Sequence, residues 1–383
     1  MKLRLGDICT IQSGGTPSRS NKKYWDNGTI PWVKISDFSG KYLDHTSEKI
    51  TQEGLDNSSA KFFPKGTILY TIFATLGETC ILNINATTNQ AVVGLKINND
   101  SVLTDYLYYY LLSKKAYVNE MGRGVAQNNI NMKILREMEI SILSTEEQKK
   151  VVSTLDFVDS LITARREQLA KLDELVKARF VDMFGDPLIN SMGWNTDTVS
   201  NVCGKIYGGG TPSKSHPEYY ENGVIPWVSS KDMKKDIIYD SQIKINQLGV
   251  DNSTAKIVPI NSVIMVIRSG ILKHTLPVAI NAVPITVNQD LKVLIPNEKI
   301  LSIFLMYQFK MLEKDILSGV RAVTADNIEF DSLKKREIIV PPIAIQNQFA
   351  TFVKQIDKSK FEIQQSLEKL ETLKKALMQE YFG

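Results

Sequence analysis

The sequence predicts an α+β fold: two tandem-repeated α/β domains joined by two long helices that form an antiparallel coiled coil. Three observations predict it. A set of short motifs occurs twice at nearly one offset. Each copy carries short apolar runs rich in β-branched residues. Each copy then closes on a long stretch of heptad-spaced apolar residues.

The repeat sets the organisation. Gly14–Ser18 (GGTPS) recurs at Gly209–Ser213, 195 positions on. Ile30–Val33 (IPWV) recurs at Ile225–Val228 with the same offset. Asp56–Lys61 (DNSSAK) returns as Asp251–Lys256 (DNSTAK), again at 195. The offset drifts to 199 between Asn89-Gln90 and Asn288-Gln289. It settles at 198 between Asn129-Ile130 and Asn327-Ile328, and is still 198 at Phe184-Gly185 and Phe382-Gly383. Such drift is a few net insertions in surface loops of a duplicated domain. The period is far too long for a solenoid repeat. The boundary falls near Gly185-Asp186-Pro187, where Gly and Pro terminate a helical run. Four segments follow: a domain over 1–143, a long helix over 144–185, a second domain over 186–340 and a second long helix over 341–383.

Within each copy the elements come in the same order. Thr67–Phe73 and Ser262–Ile267 are apolar and β-branched, and read as strands. Leu103–Lys115 and Leu301–Glu313 read as shorter helices. The first long helix opens on a capping box, Ser144 with Glu147 three residues on. The second follows Pro341-Pro342, where a fixed φ and a missing N–H do no harm.

The long helices carry a seam. Val151, Leu155, Val158, Ile162, Arg165, Leu169, Leu172 and Val176 alternate spacings of four and three. Phe349, Val353, Ile356, Lys360, Ile363, Leu367 and Leu370 repeat that pattern at the 198 offset. Heptads sustained this long read as a coiled coil. A helix from Thr145 to Asp182 spans ~57 Å at ~1.5 Å per residue. No single small domain buries that length, so each helix is expected to pair with its copy across a pseudo-two-fold axis. Arg165 and Lys360 interrupt the seam. They are either snorkelling side chains at its edge, or a register-fixing pair or contact to another subunit.

Bulk composition narrows the class without fixing it. A chain of 383 residues suits two or three domains. Apolar residues at 43% and charged residues at 23% are those of a soluble globular protein. No run approaches the ~20 apolar residues of a membrane span. The opening MKLRLGDICT lacks the apolar core of a secretory signal. Cys9, Cys80 and Cys203 are too scattered for a disulfide framework or zinc knuckle, and read as buried thiols in a reducing cytosol. A formal charge of +4 and a pI of 8.6 permit a nucleic-acid partner without arguing for one.

Catalytic signatures are missing. There is no phosphate loop, dinucleotide turn, nucleophile elbow or HExxH pair. His45, His216 and His274 have no Cys or second His at ligand spacing, so no metal site is expected. The aromatic-closed Pro-Pro motif of adenine methyltransferases is absent, since Val340-Pro341-Pro342-Ile343 does not match it. The plan favours a binding protein over an enzyme.

Two loop sets are candidate DNA contacts. In GGTPS, Gly14, Gly15, Thr16 and Ser18, with Gly209, Gly210, Thr211 and Ser213 in the second copy, offer N–H and hydroxyl donors suited to phosphate oxygens. A plain turn or a close backbone contact explains the same glycines. Basic residues stand nearby: Arg19, Lys22, Lys23 and Lys34 in the first copy, Lys214 and Lys231 in the second. The second set is Arg123–Asn129 (RGVAQNN) and Arg321–Asn327 (RAVTADN). Arg can grip guanine and Asn or Gln adenine, each with two hydrogen bonds. Arg123 and Arg321 open the two stretches, Gln127 and Asn128 face Ala325 and Asp326, Thr324 is a further candidate in the second copy, and Arg268 has no basic counterpart in the first copy. Readers of two different half-sites differ in this way, and so do ordinary loops diverging after duplication.

Taken together, the chain resembles the specificity (S) subunit of Type I restriction–modification enzymes over essentially its whole length. The resemblance is carried by GGTPS with Tyr24-Trp25 and Tyr219-Tyr220 after it, by IPWV, and by Asn89-Gln90 and Asn288-Gln289. The helix opening Glu146-Glu147-Gln148, its counterpart Ile345-Gln346 and the closing Phe-Gly complete it. Ile345-Gln346 departs from the family's acidic-Gln pair. The resemblance implies two target-recognition domains that read a bipartite DNA target with a non-specific spacer. It implies no catalysis and no cofactor in this chain. The implied partners are double-stranded DNA, two modification subunits that bind S-adenosylmethionine and methylate adenine, and restriction subunits where present. The expected location is the bacterial or archaeal cytoplasm. Adenine inside a duplex is unreachable, so the partner is expected to flip it out while this chain holds the distorted duplex. Half-sites about one helical turn apart, ~34–36 Å, suit such twin readers. Helix length then acts as a ruler: four residues inserted into a helix should alter the spacer and not the half-sites. Two other readings stay open, a scaffold whose twin domains bind proteins and a fragment of a fused methyltransferase–nuclease. The start at Met1 and the closing helix speak for a free-standing chain.

Overall fold

A computed structural model of the chain describes residues 1–122, 130–319, 321–322 and 326–383, with only the backbone of Arg321, Ala322 and Asp326. The chain divides into two compact units, Met1–Arg166 with Gln365–Gly383, and Glu167–Gln364. Each division falls inside a long helix, Thr145–Phe184 or Ile343–Phe382, of 40 residues each. At ~1.5 Å per residue each is ~60 Å long.

The first unit holds a five-stranded sheet in the order Cys9–Ser13, Val92–Ile97, Ile68–Thr71, Thr79–Leu82 and Tyr42–Leu43. Neighbours are antiparallel except for the last pair. A four-stranded sheet places Ile30–Val33 between Glu48–Ile50 and Ala86–Thr88, with Phe62–Phe63 at its edge. Lys2–Arg4 pairs with Glu139–Ser141 just ahead of the long helix.

The second unit repeats the plan. Its five-stranded sheet runs Cys203–Gly208, Leu291–Pro296, Val263–Val266, Val278–Asn281 and Ile237–Ile238. Ile225–Val228 again pairs antiparallel on one side and parallel on the other. Thr196–Thr198 pairs with Glu337–Ile339. The β-branched runs expected as strands are the buried central strands Ile68–Thr71 and Val263–Val266. The expected shorter helices are Thr104–Ser113 and Ser302–Met311.

Helix termini follow their caps. The Ser144 hydroxyl accepts from the Glu147 amide, while the Glu147 carboxylate accepts from Ser144 N–H at 2.9 Å. The first long helix runs to Phe184. It stops at Gly185, whose φ of 74° is the left-handed cap. The second starts at Ile343, directly after the proline pair.

Within each unit the two helices run antiparallel. In the first, Asp159 pairs with Lys374 at 2.5 Å and Arg166 with Glu371 at 2.7 Å, so one number rises as the other falls. In the second, Asp173 pairs with Lys360, and Phe180 meets Phe349 at 5.5 Å between ring centroids. Val151, Leu155, Val158, Ile162, Val176, Phe349, Val353 and Leu367 are buried, and Leu169, Leu172, Ile356, Ile363 and Leu370 half-buried. The ion pair with Asp173 gives Lys360 an interhelical partner. Arg165 is half-buried in the seam.

The helix ends plug the globular parts. Phe184 lies buried against Phe304 at 4.7 Å and Phe349 at 5.6 Å in the second unit. Phe382 lies against Tyr106 at 5.1 Å and Tyr110 at 6.1 Å in the first. Each buried ring contributes about 2–3 kcal/mol of apolar burial, which explains the recurring Phe-Gly at both helix ends.

Candidate nucleic-acid interface

The GGTPS loop follows an edge strand of the five-stranded sheet and turns under the neighbouring chain. Gly14 N–H donates to Val92 O at 3.0 Å and Gly15 N–H to Thr88 O at 2.9 Å. In the second unit Gly209 N–H donates to Leu291 O at 3.4 Å and Gly210 N–H to Val287 O at 2.9 Å. The glycine amides expected to face phosphate are spent inside each domain. The glycines are there for close approach. A Cβ on Gly14 would stand 1.9 Å from Thr88 Oγ1, and one on Gly210 2.3 Å from the Thr254 carbonyl carbon. The second glycine's carbonyl is taken too: Trp32 Nε1 donates to Gly15 O, and Trp227 Nε1 to Gly210 O, both at 3.0 Å. This indole bond ties the GGTPS and IPWV motifs together in each copy.

The loop's hydroxyl side chains bond to one another and to the neighbouring turn. Thr16 Oγ1 donates to Gln90 Oε1, and Thr211 Oγ1 to Gln289 Oε1. Ser18 and Ser20 pair through their hydroxyls at 2.9 Å, as do Ser213 and Ser215 at 2.6 Å. These groups are at or near the surface of both units.

The basic residues divide by unit. In the first, Arg19 lies 3.7 Å over the Trp25 ring and reaches Glu48 at 2.5 Å. Lys34 reaches the other oxygen of the same carboxylate at 2.6 Å. Burial would raise the Glu48 pKa, but hydrogen bonds from Lys34 and Arg19 outweigh it and hold the carboxyl below its usual range. Two expected DNA contacts are thus tied to one acid. Lys22, Lys214 and Lys231 are exposed, and among the described residues none makes an ion pair. Arg268 grips Asp290 through Nε and a terminal nitrogen, both at 2.6 Å. Arg123, Gln127, Asn128 and Thr324, and the side chains of Arg321 and Asp326, lie outside the described residues. The backbone places Arg321–Ala322 and Asp326–Asn327 in a two-stranded ribbon, with Asn327 bridged to Arg268.

One cluster escaped the sequence reading. Lys292 Nζ stands 4.7 Å over the Phe330 ring, and Lys334 Nζ 5.2 Å from the same ring. Gly208 makes room for it: a Cβ there would lie 2.8 Å from Lys292 Nζ. Burial lowers the Lys292 pKa, and nearby Lys334 and Arg268 lower it further. Phe330 and Lys334 lie four apart on the helix Phe330–Lys335, but Lys292 and Arg268 come near them only through the fold, which no local pattern signals.

Among the described residues no group of His, Cys, Asp and Glu is placed to hold a metal. Burial pushes the Cys9 and Cys203 thiols up to about 12, away from reactive thiolates. No described helix is long and apolar enough to cross a membrane.

Comparisons with known proteins agree with this duplicated geometry. The family model described as Type I restriction modification DNA specificity domain matches residues 1–174 and again 192–375. The Type I restriction enzyme MjaIX specificity subunit of Methanocaldococcus jannaschii is 28% identical, over 98% of this chain and 90% of its own length. The EcoR124I/EcoR124II specificity subunit of Escherichia coli is 28% identical over 90% of this chain and 83% of its own. Two solved structures share the fold. An S subunit of a Type I restriction–modification system from M. genitalium has a TM-score of 0.54 at 16% identity, covering 100% of this chain and 96% of that one. A chain from a study of assembly and conformational transition in the type I R-M system has a TM-score of 0.60 at 17% identity, covering 100% and 97%.

Proposed function

The chain belongs to the Type I restriction modification DNA specificity family, and we propose that its two globular domains read the two halves of a bipartite DNA target. It is a specificity subunit and carries no catalytic step of its own; methylation and cleavage fall to partner subunits. The partners are double-stranded DNA, two modification subunits that bind S-adenosylmethionine and methylate adenine, and restriction subunits where the system has them. The work is done in a bacterial or archaeal cytoplasm. The long helices set the spacer between the half-sites.

One observation carries this reading. Each unit presents the same loop frame, GGTPS bonded to IPWV through a tryptophan, while the charged groups around it differ. Arg19, Lys34 and Glu48 of the first unit stand where the second has Lys214, Ser229 and Ile243. A shared frame with divergent surroundings suits two readers of unlike half-sites.

Methylome sequencing of cells expressing the chain with its modification subunit tests it. The expected result is one methylated motif with two defined halves and a fixed gap. Methylation at a single continuous site, or none that depends on this chain, would refute it.

A further inference from the structure

The Asn-Gln pair recurs in both units, and the structure gives its two residues different tasks. Asn89 builds a turn: its side chain accepts from Ala91 N–H at 3.0 Å, and its carbonyl from Val92 N–H at 3.3 Å. Asn288 builds the same turn, accepting from Asp290 N–H at 3.1 Å and Leu291 N–H at 3.3 Å. The glutamine is left exposed at the corner of each turn. There its amide oxygen receives the hydroxyl of Thr16 or Thr211 from the GGTPS loop. The pairing holds although the two offsets differ, 195 for the threonines and 199 for the glutamines.

That bond decides what the amide can recognise. A free glutamine grips adenine with oxygen and nitrogen together. Here the oxygen is engaged, so two-point reading of adenine is blocked. Two N–H donors remain on each Nε2, and among the described residues no protein acceptor is bonded to either. An oriented donor suits a group that only accepts, as a phosphate oxygen does. The threonine bond also restricts the side chain before binding, which lowers the ordering cost of a contact. Halves that read unlike sequences share only the backbone of the duplex, so a group identical in both fits that backbone.

We propose that the carboxamide nitrogens of Gln90 and Gln289 each donate to a DNA phosphate, giving the two domains matched contacts indifferent to base sequence. The inference rests on the DNA-reading role proposed above.

The test uses the full chain in complex with its modification subunit, titrated with target and unrelated duplexes over a range of salt. Gln90→Ala and Gln289→Ala should each weaken both duplexes by the same factor, about tenfold. The slope of log K against log salt should not change, because no cation has been removed. Gln90→Glu, which turns a carboxylate toward the phosphate, should lose more than Gln90→Ala. Thr16→Val should lose less, and the methylated sequence should stay as it was. A loss confined to the target duplex, or an altered methylated sequence, would make these residues base readers and overturn the proposal. Unchanged binding by both alanine variants beside salt-dependent binding by the parent complex would overturn it while leaving the DNA-reading role intact. A parent complex that binds neither duplex would remove the role itself, and this contact with it.

Discussion

Gln148 Oε1 accepts the amide of Leu103 at 2.9 Å, and 198 residues on Gln346 Oε1 accepts that of Leu301 at 2.8 Å. Both glutamines are fully buried. Gln148 Nε2 donates to Ser101 O at 2.7 Å and Leu143 O at 3.0 Å, and Gln346 Nε2 to Lys299 O and Pro341 O at 3.1 and 2.8 Å. Each side chain therefore locks the start of a long helix to the loop before a shorter one. The acidic neighbour present in the first copy, Glu147, caps its own helix instead. Its replacement by Ile345 leaves the glutamine clamp intact.

Replacing Gln148 by leucine should strand three backbone groups in a dry site. Each buried group left unsatisfied costs about 1–3 kcal/mol, so the loss should reach about 3 kcal/mol or more. Urea denaturation of Gln148→Leu against the parent chain measures it. A loss under about 1 kcal/mol would mean that water reaches the site and the clamp is weak.

Gly15 and Gly210 should prove structural in the same direct way. A Cβ on Gly15 would sit 2.3 Å from Ser59 Oγ and 2.4 Å from its carbonyl carbon, so backbone must move. Gly15→Ala should destabilise its domain by about 2–3 kcal/mol, the range of overpacking in a tight site. Thermal unfolding monitors this beside DNA binding. A variant that melts like the parent and binds DNA poorly would return the role to the loop's N–H groups.

How much of this was legible follows from distance along the chain. Seam, caps and repeat were readable because helical periodicity places Val151, Leu155 and Val158 on one face by local geometry alone. The Ser144–Glu147 box is likewise a four-residue pattern. The fates of Gly14, Gly15, Arg19 and Lys34 were not readable. They depend on register between strands: Glu48 meets Lys34 because Glu48–Ile50 pairs with Ile30–Val33, with Trp32 opposite Glu48. Composition marks Arg19 as a free cation, and only the sheet shows the acid that holds it. Lys292 was hidden for the same reason, since only the fold brings it to Phe330, whereas Phe330 and Lys334 lie four apart on one helix.

Glu48 should act as a brake on the first domain's charge. Glu48→Gln releases Arg19 and Lys34, which can then neutralise phosphates. Affinity for unrelated duplex should rise at low salt, and the salt slope should steepen by about one to two. Filter binding across salt concentrations reads both, and an unchanged slope would show that neither cation reaches DNA. The pH dependence has a defined sign. The carboxyl's pKa is depressed in the folded chain, so its stabilisation is full above the unfolded value of ~4.3 and fades as pH falls through the folded one. With Arg19 51% and Glu48 29% exposed, solvent screening limits that stabilisation to about 1 kcal/mol. The stability gap between parent and Glu48→Gln should close in that acid range.

Lys360 supplies the last test, because it is the cation inside an apolar seam. Its side chain is 19% exposed and pairs with Asp173, which is 61% exposed. Asp357, one turn away on the same helix, is half-buried. Burial raises its pKa, with Lys360 and Lys310 pulling it down and Asp236 and Asp173 pushing it up. Lys360→Glu would place a third acid beside Asp173 and Asp357, and should cost about 1–2 kcal/mol. Asp173→Lys added to it restores an opposite pair across the helices and should recover much of the loss. Lys360→Leu should be nearly neutral, since leucine completes the seam and Asp173 keeps its water. A double-mutant cycle by urea denaturation separates these outcomes. Full additivity of Lys360→Glu and Asp173→Lys would show that the pair adds nothing to the join between the helices, and that lysine is tolerated there only because its ammonium reaches solvent.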